Sequence, residues 1–134
     1  MVNYFQINSN IELPSVEEFS PYKAVVIVDI DCEQSWQKKV SEWLVSSGCK
    51  YMMAWGKDCS SWDDSVDNAF IQLSGWTELP NLLTTWHDDE PLSEVFEFCK
   101  YSAIHEECEL DSTLIVHISD VNKKEIMLNE LRLA

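Results

Sequence analysis

The sequence predicts an α/β protein, a three-layer sandwich around a mainly parallel sheet of about four strands in the order βαβαβαβα. Two observations predict this class. Four short apolar runs of strand length lack a clean alternation of apolar and polar residues, which is typical of strands buried on both faces of a parallel sheet. Segments with helical spacing of apolar residues follow these runs, and strand–helix–strand repeats form parallel units with right-handed crossovers.

The predicted strands are the four apolar runs and one weaker segment near the N-terminus. The runs cover residues 24–28, 51–55, 82–86 and 113–118. Residues 2–7 could add an edge strand at the start of a lead-in that covers residues 1–21. The lead-in is punctuated by Pro14 and Pro21, and we expect no further domain boundary in residues 1–134.

A helix is predicted after each of the four runs. Apolar residues recur at i, i+3, i+4 and i+7 positions in the first three, and Gly48 is placed to end the first helix. The fourth helix is predicted over residues 121–133, with a less regular apolar stripe. The stripes of the first three helices consist of Trp36, Val40, Trp43 and Leu44; of Trp62, Val66, Ala69, Phe70 and Leu73; and of Leu92, Val95, Phe96, Cys99 and Ala103.

Length and composition indicate one folded domain that needs no metal, cofactor or disulfide. The chain has 134 residues, of which 46% are hydrophobic, and six Trp, which excludes disorder as the main state. Its five cysteines include no CxxC pair, so we expect free thiols rather than a disulfide framework or a zinc ribbon. With no targeting segment and no apolar run long enough to span a bilayer, a cytoplasmic protein is expected.

The net charge of −15 is concentrated in one half of the chain. Residues 58–122 contain 15 acids and a single base, Lys100, whereas the two ends are nearly neutral. Such a surface repels phosphate, which argues against direct binding of nucleic acid or of an anionic membrane. The expected partner is a cationic protein.

The loops that leave the carboxyl ends of parallel strands meet at one edge of the sheet, where ligands usually bind. Many of the acids fall in these loops or in the helices that follow them, and several tryptophans lie beside them. Half-buried aromatic residues often anchor a protein partner. The predicted contact acids are Asp58, Asp63, Asp64, Asp67, Asp88, Asp89, Glu90, Glu94 and Glu97, and the predicted aromatic anchors are Trp55, Trp62, Trp76 and Trp86.

Helix capping is a structural alternative for some of these acids. An acid near a helix start is favoured by roughly 0.3–1 kcal/mol, and one acid lies near the start of each predicted helix. Capping accounts for about one acid per helix and leaves the neighbouring acids unexplained. The capping candidates are Asp31, Asp58 or Asp63, Asp89 and Asp120.

A metal-dependent phosphatase or nuclease-like enzyme is the alternative function. Asp29-Ile-Asp31 after an apolar strand resembles the nucleophile and acid of haloacid-dehalogenase-like phosphatases, and Asp88 and Asp89 could help to hold Mg²⁺. The chain lacks a Gly-rich phosphate loop, and its one arginine is Arg132 near the C-terminus, so a phosphate substrate would meet repulsion. A third possibility is an acidic adaptor for some other basic protein.

Two histidines and one cysteine are candidates for chemistry. His87 could act as a general base with Asp88 or Asp89, or combine with Cys59 as a metal ligand or nucleophile. His117 lies near the end of the last predicted strand, where a hydrogen-bonded core histidine is the commoner outcome. No catalytic role is assigned to any of the three.

Two motifs resemble a little-characterised family of small, acidic, cytosolic bacterial proteins. They are MAWGKDCSSWDDSVD at residues 53–67 and TTWHDDEPLSEVF at residues 84–96, and the resemblance extends over about residues 22–119. This member is similar to an immunity protein of a contact-dependent growth inhibition system. That resemblance implies a non-enzymatic inhibitor that binds and blocks the C-terminal nuclease domain, in particular an RNase, of a secreted toxin.

Overall fold

The computed structural model describes residues 1–75 and 81–134 and contains a five-stranded sheet in which every strand is parallel to its neighbours. The predicted three-layer α/β sandwich is confirmed, and the N-terminal segment is an edge strand. The strands are β1 Val2–Ile7, β2 Tyr22–Val28, β3 Cys49–Gly56, β4 Leu83–His87 and β5 Ser112–Ile118, in the spatial order β1-β5-β2-β3-β4. The helices are α1 Gln34–Ser46, α2 Cys59–Ser74, α3 Leu92–Tyr101 and α4 Lys124–Leu133, with a short 3-10 turn at Glu17–Phe19.

The central strands are buried on both faces, as their continuous apolar runs predict. Val26 of β2 faces α1 and α2 in one hydrophobic cluster, and its neighbour Val25 faces α3 and α4 in another. Both side chains are fully buried. Because successive residues of a strand point to opposite faces, a strand in this position must be apolar throughout. The edge strand β4 lacks this constraint and is partly exposed.

The order of the strands explains on which face each helix lies. The chain moves outward from β2 through α1 to β3 and through α2 to β4, and both helices pack on one face. It then returns through α3 to β5, on the other side of β2, and the reversed direction places α3 on the opposite face because crossovers are right-handed. The loops after β2 and β5 therefore diverge, which makes the gap between these strands the switch point of the sheet.

The helix bounds differ from the predicted ones mainly at α4. This helix begins at Lys124 rather than at residue 121, because the Asn122 side chain accepts a hydrogen bond from the Lys124 backbone N–H (3.0 Å) and holds a turn before the helix. The 16-residue α2 is the longest helix among the described residues. No helix in residues 1–75 or 81–134 is long and apolar enough to cross a membrane.

A buried hydrogen-bond network joins three strands at the switch point. Nε2–H of His117 donates to the half-exposed Asp29 carboxylate (2.5 Å), and the Tyr4 hydroxyl donates to Nδ1 of His117 (2.6 Å). The same hydroxyl accepts the Lys123 backbone N–H (2.9 Å), and burial raises the pKa of Tyr4, which keeps its proton in place. His117 is thus the core histidine that the sequence predicts, with both ring nitrogens occupied.

Replacing Tyr4 by Phe should leave Nδ1 of the buried His117 without a partner and lower the free energy of unfolding by about 1–3 kcal/mol. Chemical denaturation measures this change. Tyr101→Phe is the matched control, since Tyr101 is 65% exposed and its loss should cost less than about 0.5 kcal/mol. Equal effects of the two substitutions would show that the network does not stabilise the fold.

Candidate functional site: an acidic surface at the carboxyl edge of the sheet

The β3–α2 and β4–α3 loops lie side by side because β3 and β4 are neighbours, with Trp55 in register with His87. Gly56 permits the first turn: its φ is 103°, and a Cβ at this position would collide with the Val28 carbonyl oxygen of β2. The backbone N–H of the next residue, Lys57, donates a hydrogen bond to the same Val28 carbonyl oxygen (2.9 Å). This close approach fixes the point at which the chain leaves β3 and enters α2.

The β4–α3 loop is held from below by two side chains. The Trp55 indole N–H donates to the Glu90 carbonyl oxygen (2.7 Å), and Nδ1–H of His87 donates to the Glu90 carboxylate (2.9 Å). The Thr85 hydroxyl is hydrogen-bonded to the other nitrogen of the His87 ring (2.9 Å), and Phe98 packs edge-on against that ring. The hydrogen bonds from Trp55 and His87 therefore hold the loop that carries the acids at 88–90 in one conformation. His87 is buried and positions this loop instead of facing solvent.

Eight of the nine predicted contact acids are exposed or half-exposed in these two loops and on the helices that follow them. Those on α2 lie on one face of the sheet, those on α3 lie on the other, and the rest lie in the two loops. We call this set the acidic surface. It consists of Asp58, Asp64, Asp67, Asp88, Asp89, Glu90, Glu94 and Glu97.

The predicted aromatic anchors have different positions. Trp86 is 54% exposed on the edge strand, beside the acidic surface. Trp55 is half-buried, with its N–H used inside the protein. Trp62 is buried against Trp36 between α2 and α1, so it does not contribute to an exposed surface. Trp76 lies outside the described residues.

Asp63 is the ninth predicted acid, and it is buried at 5% exposure, so it also lies outside the acidic surface. Its Oδ1 has no hydrogen-bond partner among the described residues. Burial raises the pKa of Asp63, the nearby Thr84 hydroxyl opposes the shift, and the negative charges of Asp67 and Asp64 raise the pKa further. A charged Asp63 therefore costs free energy in the folded state.

Capping does not account for the acids at the helix starts. The residues that precede the four α-helices are Glu33, Asp58, Pro91 and Lys123, and none of them makes a side-chain capping hydrogen bond. Asp58 has the left-handed φ of 53°, which turns its backbone away from the usual capping geometry. The predicted capping hydrogen bonds are therefore absent at the starts of the described α-helices.

The residues of the enzyme alternative are not assembled into one site. Asp29 follows β2 and binds His117, and Asp31 pairs with Lys57 (3.6 Å). β3 separates β2 from β4, which places the 88–89 loop about two strand spacings, or about 10 Å, away. In residues 1–75 and 81–134, no group of three His, Cys, Asp or Glu side chains is arranged to hold a metal ion.

Cys59 at the start of α2 is buried below the two loops. Burial raises the pKa of this thiol, the nearby Asp88 raises it further, and neighbouring backbone N–H groups oppose the shift. The thiol is therefore protonated at neutral pH and is a poor nucleophile in this position.

Cations collect at the opposite edge of the sheet. A cavity of about 700 Å³ lies between the ends of α3 and α4 and is lined in part by Lys23, Lys100 and Arg132. The Lys100 ammonium donates to the carbonyl oxygens of Arg132 and Ala134 at the end of α4 (3.2 and 2.8 Å). Cations are favoured at helix C-termini, so this placement has a structural cause. Asp111 lines the same cavity and follows three exposed acids in the loop before β5, so this end of the protein carries mixed charge.

A family model supplies the family of this chain, since it matches residues 2–134. The chain belongs to DUF7684, a domain of unknown function. No curated protein and no solved structure shows a significant match to it. The geometry of this DUF7684 domain is therefore the main guide to its function.

Sequence reasoning missed the supporting residues of the site in the DUF7684 domain. The positioning roles of Trp55 and His87 depend on which strand lies beside β3, and the sequence does not specify that order. The burial of Trp62 did have a signal, since Trp62 begins the apolar stripe of α2. The burial of Asp63 had none, because it follows from the packing of α2 over Thr84 of β4.

We expect Asp63→Asn to raise the free energy of unfolding at pH 7, on the order of 1 kcal/mol, because it removes a buried charge. The folded state holds the Asp63 proton more tightly than the unfolded state does, so the charge costs most at neutral pH. The gain should disappear near pH 3, below the ordinary pKa of 3.8, where Asp63 is protonated in both states.

Chemical denaturation of the unsubstituted protein and of the Asp63→Asn variant, at pH 7 and at pH 3, measures this gain in the free energy of unfolding. The matched control is Asp64→Asn, which neutralises the exposed neighbour on the same helix and should change stability by less than about 0.5 kcal/mol. Destabilisation by Asp63→Asn at pH 7 would mean that the Asp63 charge is satisfied within the fold.

Proposed function

We propose that this chain is a non-enzymatic inhibitor that binds a basic nuclease toxin, in particular an RNase, through the acidic surface and acts in the cytoplasm. One observation carries the proposal. Eight exposed or half-exposed carboxylates lie in the loops after β3 and β4 and on the helices that follow, and no Lys or Arg occurs in the sequence between Lys57 and Lys100 to neutralise them. Such crowding costs stability through mutual repulsion, and helix capping does not explain it.

A nuclease is a fitting partner on electrostatic grounds. An RNase binds a polyanion and therefore has a cationic cleft, which a rigid acidic surface can occupy by presenting charge in place of phosphate. The hydrogen bonds of Trp55 and His87 supply that rigidity, since they hold the loop that carries Asp88 and Asp89. Opposite charge also speeds association, up to about 10⁸–10⁹ M⁻¹s⁻¹ at low salt, which an inhibitor of a catalytic toxin needs.

The resemblance to immunity proteins of contact-dependent growth inhibition systems directs the proposal to a secreted toxin. An immunity protein is encoded beside the toxin that it blocks. A large secreted-toxin gene immediately upstream is therefore expected, and its C-terminal nuclease domain is the partner for the tests below. If the gene for this chain instead lies within a metabolic operon, the proposal is contradicted.

The direct test is inhibition of that nuclease domain. An equimolar amount of this chain should abolish its cleavage of RNA, and the double variant Asp88→Asn, Asp89→Asn should slow complex formation about five- to tenfold at low salt. Asn is suited to position 89, where φ is 58° in the left-handed region. The dissociation rate should change less, because these exposed charges act mainly through steering.

The matched control is Glu125→Gln with Glu130→Gln on α4, which removes the same amount of charge at two exposed positions away from β4. Stopped-flow measurements at several salt concentrations give the association rates of the unsubstituted protein, the double variant and the control. A control that slows binding as much as the double variant would show that only net charge matters. Undiminished cleavage of RNA in the presence of this chain would contradict the proposed function itself.

A further inference from the structure

The edge strand β4 presents an open edge of the sheet. It pairs in parallel with β3 on one side, its register has no bulge, and no other described strand lies on its outer side. Proteins usually protect such edges with Lys, Pro or a bulge. The five residues of β4, Leu83–His87, contain no Lys or Pro, and they include two threonines and Trp86, which favour strand pairing.

The acidic surface surrounds this edge. Asp67 of α2 accepts a hydrogen bond from Thr84 of β4 (2.7 Å) on one face, and Glu90 is bound to His87 of β4 on the other. Asp88 follows the strand directly. Two copies that paired through β4 would bring these carboxylates together and repel each other, whereas a cationic strand would be attracted. The charges thus protect the edge against self-association and select the sign of its partner.

We propose that β4 accepts an added β-strand from the cationic partner, so that the sheet continues into a basic segment of the toxin. This inference rests on the proposed function and specifies its contact. Backbone hydrogen bonds to β4 would supply affinity, and the half-exposed Trp86 would pack against side chains of the added strand. The segment that fits is extended, with Lys or Arg alternating with β-branched residues. Its cations all lie on one face, and they meet carboxylates in either orientation because the acids flank the edge on both faces.

A pair of synthetic peptides tests the backbone contact with the full chain. The first is a ten-residue peptide in which Lys alternates with Val, and the second has the same sequence with every backbone nitrogen between its ends methylated, so that it has the same charge and no donor on either edge. NMR titration should show that the first binds at least about tenfold more tightly. Amide exchange should slow within Leu83–His87 only when the unmethylated peptide is bound.

Trp86→Ala should weaken the binding of the unmethylated peptide about fivefold, and Tyr101→Ala, at a more exposed aromatic residue away from β4, should leave it unchanged. Equal affinity of the two peptides, or binding of neither at millimolar concentration, would overturn strand addition. So would a stable dimer formed through β4 by this chain alone at low salt. None of these results would affect inhibition of the toxin by the acidic surface, so the two proposals fail separately.

Discussion

All five strands run in the same direction, and this constraint brings the acids together. Parallel strands end at one edge of the sheet, so the loops after β3 and β4 cannot separate. The acids of these two loops therefore lie at one end of the molecule, and those of α2 and α3 continue from it along the two faces of the sheet. Rigid supports at Gly56, Trp55 and His87 keep the loops close despite the repulsion between like charges.

The core offsets the cost of that repulsion. Two hydrophobic clusters enclose the sheet, and the central strands contribute side chains to both. At the other end of the sheet, Lys100 and Arg132 lie beside the ends of α3 and α4. These cations meet a structural need at the helix ends, whereas capping hydrogen bonds do not account for the acids at the carboxyl end of the sheet.

Residue patterns predicted the elements of the fold, and packing decided the details of the site. The runs of Val and Ile in β2 and β5 could only be strands buried on both faces, and Gly48 ended α1 as expected, with φ at 101°. The network of Tyr4, His117 and Asp29 could not be predicted, since it joins residues more than 80 positions apart through the order of the strands. The burial of Asp63 beside Thr84 could not be predicted either, because the sequence does not specify that β4 lies under α2.

We propose that this chain meets a basic protein at the carboxyl end of β3 and β4 and along the open edge of β4. Hydrogen exchange, measured on the complex isolated with its partner from the producing cell, tests this claim most directly. Slower exchange is predicted in β4, in the β4–α3 loop and at the start of α2. Protection confined to the opposite end, around Lys23, Lys100 and Arg132, would contradict the account.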